Sequence, residues 1–191
     1  MRHLPLRRPR RGHCLPLLLA LALLLALSFA LGHLARPPAV TGAVTFGYAV
    51  AATPPWVLPA RTLVALTAAA LALWGASLLL GGERAIGPFV LVSVLGRYTL
   101  LPIAGLLAVP AVRRGLAHLV VVSDGHIVAT GARTTLPWVG VGLLALYVLA
   151  AVVHLRLYRT CSGLSAGRAA LGCLLGLAVS EALCRAIFAV W

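Results

Sequence analysis

LLGGERAIGPFVLVSVLGRYTLLP, residues 79–102, sets a short charged turn, Gly82-Glu83-Arg84, between two long apolar runs and then places Arg97 and Tyr98 inside the second. A chain with two glycines and two charges between apolar segments of this length reads as two helices joined by a tight turn. The segments are long enough to cross a membrane, since about 20 apolar residues cover about 30 Å of hydrocarbon.

The rest of the chain agrees with that reading. Of 191 residues, 62% are hydrophobic and only 10% charged, and mean hydropathy is +1.05. Soluble domains hold about 45–50% apolar and about 25% charged residues, so the composition is that of an integral membrane protein. The formal charge of +13 comes from arginine alone, without lysine. Most of these arginines flank apolar runs, where they set orientation and meet anionic head groups. No basic patch with interleaved aromatics marks a nucleic-acid surface.

Working outward from residues 79–102, the pattern predicts spans at about 61–81 and 86–109 on either side of the turn. LPWVGVGLLALYVLAAVVHL and AGRAALGCLLGLAVSEALCRAIFAVW predict two more, at about 136–155 and 166–190. The N-terminus carries five arginines in its first eleven residues and then CLPLLLALALLLALSFALG, which predicts a first helix at about 14–34. A cleaved signal peptide is the alternative, but this apolar run exceeds a typical signal core. RPPAVTGAVTFGYAVAATPPWVLPAR, residues 36–61, is short for a span and rich in prolines. It reads as an interfacial or re-entrant segment over about 38–58, with a sixth span as the alternative. Between the third and fourth of the clear spans, Val120-Val121-Val122 and Ile127-Val128 flank Asp124-Gly125. That is a hairpin signal, and it predicts a small extramembrane β-hairpin near 118–130. The expected fold is thus an all-α, polytopic transmembrane helix bundle of five spans forming a single domain. With the N-terminus inside, nine arginines lie on the inner side and five on the outer. A six-span arrangement also puts nine inside, so the positive-inside rule orients the chain without choosing the number of spans.

Ionisable residues inside the membrane are costly, about 2.5–3.5 kcal/mol for a mid-bilayer arginine on insertion scales, and need partners. Arg97 falls near mid-depth. Glu181 and Arg185, four apart in the last span, form a favourable helical pair, and the expectation is that Arg97 meets Glu181. Arg97, Tyr98, Glu181 and Arg185 are the candidate intramembrane polar cluster. Gly172, Gly176, Ser180 and Cys184 recur every four residues and predict a close helix contact of the GxxxG kind. Among the cysteines, Cys14, Cys173 and Cys184 lie in apolar runs and Cys161 outside them; none forms a C-x-x-C pair. His118 and His126 make a weak ligand set by themselves. No metal, cofactor or catalytic residue is expected. Asp124, Glu83 and Glu181 are the only carboxylates, too scattered for acid–base chemistry.

A helix ending in LLGG, a charged turn and the helix FVLVSVLGRYTLLPIAGLL resemble the second and third spans of the Yip family, small five-span membrane proteins with a cytosolic N-terminus. The residues carrying the resemblance are Gly81, Gly82, Glu83, Gly96, Tyr98 and Pro102. HLRLYRTCSGLSAGRAALGCLLG is similar to that family's link between the fourth and fifth spans. The likeness covers about 110 of 191 residues. The DLYGP element and the long polar N-terminal region of eukaryotic members, which bind Rab GTPases, are absent. The resemblance implies a bacterial-type member in a cell (inner) membrane with its N-terminus in the cytoplasm. Its expected role is that of a non-enzymatic scaffold or interaction protein whose partners are the lipid bilayer and a protein or second copy contacted through the last helix. The alternative is a small transporter or channel subunit using Arg97, Glu181 and Arg185.

Overall fold

A computed structural model of the chain describes residues 14–32, 38–40, 43, 46–48, 54–112, 121–123, 126–128 and 136–190. Its long helices are α1 (Cys14–Gly32), α2 (Val57–Leu79), α3 (Gly87–Ala108), α4 (Leu136–Ser162) and α5 (Ala166–Ala189). Strands β1 (Pro38–Val40) and β2 (Phe46–Tyr48) pair antiparallel between α1 and α2. Strands β3 (Val121–Ser123) and β4 (His126–Val128) do so between α3 and α4.

The two glycines of the 79–102 stretch make the α2–α3 turn. Gly81 has φ +76°, a left-handed conformation open to glycine. Its N–H donates to the Leu78 carbonyl at 3.1 Å, while the Gly82 N–H donates to the Ser77 carbonyl at 2.8 Å. This bond pair is the Schellman C-cap, which satisfies carbonyls a helix end would leave open. Glu83 then folds back, its Oε1 accepting from the backbone N–H groups of Arg84 and Ala85, both at 2.8 Å. Trp74 closes the turn by donating from Nε1 to the Arg84 carbonyl at 2.9 Å. Pro88, in the first turn of α3, suits a position whose N–H needs no helical partner.

α2 and α5 form the tightest contact and run antiparallel, with Gly176 against Leu73 and Cys184 clustered with Ala65 and Ala68. α3 packs on α4 through Leu100, Ile103, Leu107 and Ala150, and through the tilted Phe89 and Tyr158 rings, 5.7 Å apart. α1 lies across α2 and α3, burying Leu24 against Leu66 and Val94. The α2–α3 turn and the α4–α5 link share one end of the bundle, where the Glu83 N–H donates to the Ser162 carbonyl at 3.0 Å.

The expectation of five spans is corrected. Among the described residues, four helices are long and apolar enough to cross a membrane: Val57–Leu79, Gly87–Leu107, Trp138–Ser162 and Ala166–Ala189. α1 carries a shorter apolar stretch, Pro16–Leu31, and residues 33–34 of the expected first span lie outside the described residues. Over 118–130 the described residues are β3 and β4, antiparallel with Val122 opposite Ile127. The Asp124-Gly125 turn and His118 lie outside the described residues, and β1–β2 is a second described pairing of the same size. Neither pair builds a sheet layer, so the fold is a helical bundle. α4 also runs on to Ser162, beyond the expected end at 155, because the Arg156–Ser162 segment remains helical with Thr160 Oγ1 donating to the Arg156 carbonyl at 2.9 Å.

Candidate functional site: a buried arginine at the centre of the bundle

Arg97 sits in the middle of α3 and is 4% exposed. Its Nη1 donates to the carbonyl of Ala43 at 2.6 Å, a bond spanning 54 residues of chain. Ala43 lies between β1 and β2 and is itself buried, in the cluster of Leu58, Ala65, Ala68, Cys184 and Phe188. The chain between α1 and α2 therefore enters the helical core at Ala43. A backbone carbonyl buried there needs a hydrogen-bond donor. The arginine supplies one, as a charge-assisted bond.

Two other polar side chains line the same place. Ser93 is one turn before Arg97, and His154 reaches in from α4; both are buried. The Nδ1 of His154 lies 2.9 Å from the Ala150 carbonyl, which can only accept, so Nδ1 carries a proton. The imidazole packs against α3 at Gly96, where a built Cβ would overlap Nε2. Only a residue without a side chain fits there. Ser93, Arg97 and His154 border a cavity of about 10 Å³, lined also by Leu73 and Leu177, about the size that holds one water. Ser93 Oγ has no hydrogen-bond partner among the described residues.

The expected cluster is divided among three places. Arg97 is central. Tyr98 is a step further round the helix and turns to α1, its hydroxyl donating to the Ala20 carbonyl. Glu181 and Arg185 form the expected i,i+4 ion pair at 2.9 Å, with the Arg185 side chain 66% exposed. Glu181 lies within electrostatic reach of Arg97, whose Nη1 bonds the Ala43 carbonyl. The small-residue ridge is applied within the chain. A Cβ on Gly172 would stand 2.5 Å from the Tyr158 hydroxyl, and one on Gly176 would stand 2.9 Å from the Leu73 Cα. Ser180 is fully buried and donates to the Leu177 carbonyl at 2.8 Å. Sequence reasoning misses Ala43, Ser93 and His154. His154 carries a signal nonetheless, as a histidine late in an apolar run. With α4 extending eight residues beyond it, that position is interior rather than terminal.

Among the described residues no three His, Cys, Asp or Glu side chains gather as a metal site would require. Four span-length apolar helices around a buried core define an integral membrane protein. No family model, curated protein or solved structure matches the chain.

Proposed function

We propose that the protein is a non-enzymatic membrane scaffold or interaction protein of Yip-like architecture. It resides in a bacterial cell membrane with its N-terminus in the cytoplasm, on the arginine-richer side. In this reading the β1–β2 segment is re-entrant, and Arg97 locks it into the bundle. The observation that carries the reading is the pairing of the central arginine with a backbone carbonyl of that segment, beside a cavity of about one water. A group committed to closing the core is poorly placed to bind and release cargo. The turn Gly81-Gly82-Glu83 and the Gly96 contact carry the Yip resemblance. Gly82 and Gly96 both sit at tight packing points, as residues retained for architecture would.

The rival reading, a small transporter or channel subunit, makes the same arginine part of a polar path. Thermal stability in detergent and ion or proton flux in proteoliposomes separate the two when measured for the parent and for Arg97→Leu. The scaffold reading expects no flux from either and a lower unfolding midpoint for Arg97→Leu. Flux through the parent that vanishes in Arg97→Leu while the midpoint holds would replace the scaffold with the transporter.

A further inference from the structure

The end of the bundle that carries the α2–α3 turn and the α4–α5 link is basic. Arg84, Arg156, Arg159 and Arg168 all lie there and are exposed, against Glu83 as the one acidic residue of the two links. The Glu83 carboxylate is already engaged with the backbone of its own turn. Within this end, Arg156 and Arg159 border an open groove of about 400 Å³ together with Thr160, Gly163 and Leu164. Gly163, at φ +66°, bends the chain away from α4 so that the groove stays open. α5 begins three residues later with Ser165 making no side-chain cap, so its first N–H groups add positive potential beside the arginines.

What lies along the helix toward the other end says what would fill the groove. α4 is the least buried of the four spans. Trp138, Val141, Ala145, Leu149, Val152, Arg156 and Arg159 succeed one another every three or four residues and are all exposed. That spacing places them on one helix face. From Trp138 to Arg156 the helix rises about 27 Å at 1.5 Å per residue, close to the hydrocarbon thickness of about 30 Å. One face of α4 therefore has an interfacial tryptophan at one end, an apolar strip of membrane length, and two arginines at the other. The two arginines stand at the depth where lipid phosphates lie, directly above a surface for acyl chains.

We propose that the Arg156–Arg159 groove is a binding site for the phosphodiester of an anionic membrane lipid, with the acyl chains lying along Leu149 and Val152. Arginine suits this ligand because its planar donors match two phosphate oxygens at once. The head group and not the chains makes the selection, so a zwitterionic lipid with the same chains binds less well.

The test uses purified full-length protein in mild detergent and native mass spectrometry, with phosphatidylglycerol and phosphatidylcholine of identical chains as probes. The parent should retain phosphatidylglycerol preferentially. The Arg156→Gln/Arg159→Gln variant should lose that preference by about 30-fold, since each interfacial arginine contributes about fivefold at an anionic surface. Arg84→Gln, at the same end but outside the groove, should leave it nearly intact. Equal retention of the two lipids by the parent would overturn the proposal, as would a preference that survives in the double variant or falls equally in Arg84→Gln. Displacement of phosphatidylglycerol by millimolar inorganic phosphate would show that the groove takes the free ion, and the lipid assignment would be withdrawn. Both arginines are exposed, and an unchanged unfolding midpoint separates loss of the site from loss of the fold.

Discussion

Adding one methyl group at Gly176 should destabilise the protein, although the same change usually strengthens a helix. Replacing a helical glycine by alanine is worth about 1 kcal/mol in propensity. At Gly176 the new Cβ would stand 2.7 Å from Leu73 Cδ2, 2.9 Å from its Cα and 3.2 Å from its N. The leucine tip can swing aside but the backbone cannot, so α2 and α5 must move apart along their whole contact. Overpacking costs typically about 1–3 kcal/mol. With the backbone in the way the upper part of that range applies, leaving a net loss of about 1–2 kcal/mol after the propensity gain. At about 2–4 °C per kcal/mol for a chain of this length, the unfolding midpoint in detergent should fall by roughly 2–8 °C. Gly105→Ala is the internal control, because nothing lies within 4 Å of a Cβ built there, and it should leave the midpoint unchanged or raise it. Tryptophan fluorescence reads both, since Trp74 lies one residue beyond Leu73 on the contacting helix. If Gly176→Ala proved as stable as Gly105→Ala, the close α2–α5 approach would be wrong.

Gly96→Ala should be destabilising for a similar reason, since its methyl would overlap the His154 ring. The double variant Gly96→Ala/His154→Ala should recover part of the loss, with a coupling of about 0.5–3 kcal/mol as expected for residues in contact; strict additivity of the two midpoint shifts would contradict the packing. Glu83→Ala removes the acceptor for two backbone N–H groups of the α2–α3 turn and should cost about 0.5–2 kcal/mol, the range for lost capping groups.

The helical parts of this fold were legible because their causes are local. The Gly81-Gly82 pair signals a C-cap, and φ +76° at Gly81 is the conformation such a cap needs. The four-residue spacing of Gly172, Gly176, Ser180 and Cys184 likewise marks a close contact, and spacing alone places these residues on one face. What spacing could not name was the partner, which is α2 of the same chain. The Arg97 contact was not legible for a different reason. Its acceptor is a main-chain carbonyl, which every residue carries, so nothing in the side chain of Ala43 advertises the role. Side-chain complementarity points to Glu181, an opposite charge at a similar depth, and does not reveal the buried carbonyl that the same guanidinium bonds.

The central claim is that Arg97 holds the β1–β2 segment inside the bundle by bonding the Ala43 carbonyl. The most direct measurement is the reactivity of the Ala43→Cys variant toward a membrane-impermeant maleimide. It would be made in membranes, with Cys14, Cys161, Cys173 and Cys184 replaced by serine or alanine. With Arg97 present, the introduced thiol should stay unlabelled, as a residue 5% exposed would, and combining Ala43→Cys with Arg97→Leu should make it label readily. Rapid labelling of Ala43→Cys while Arg97 is in place would contradict the account, and so would protection that persists unchanged in Arg97→Leu.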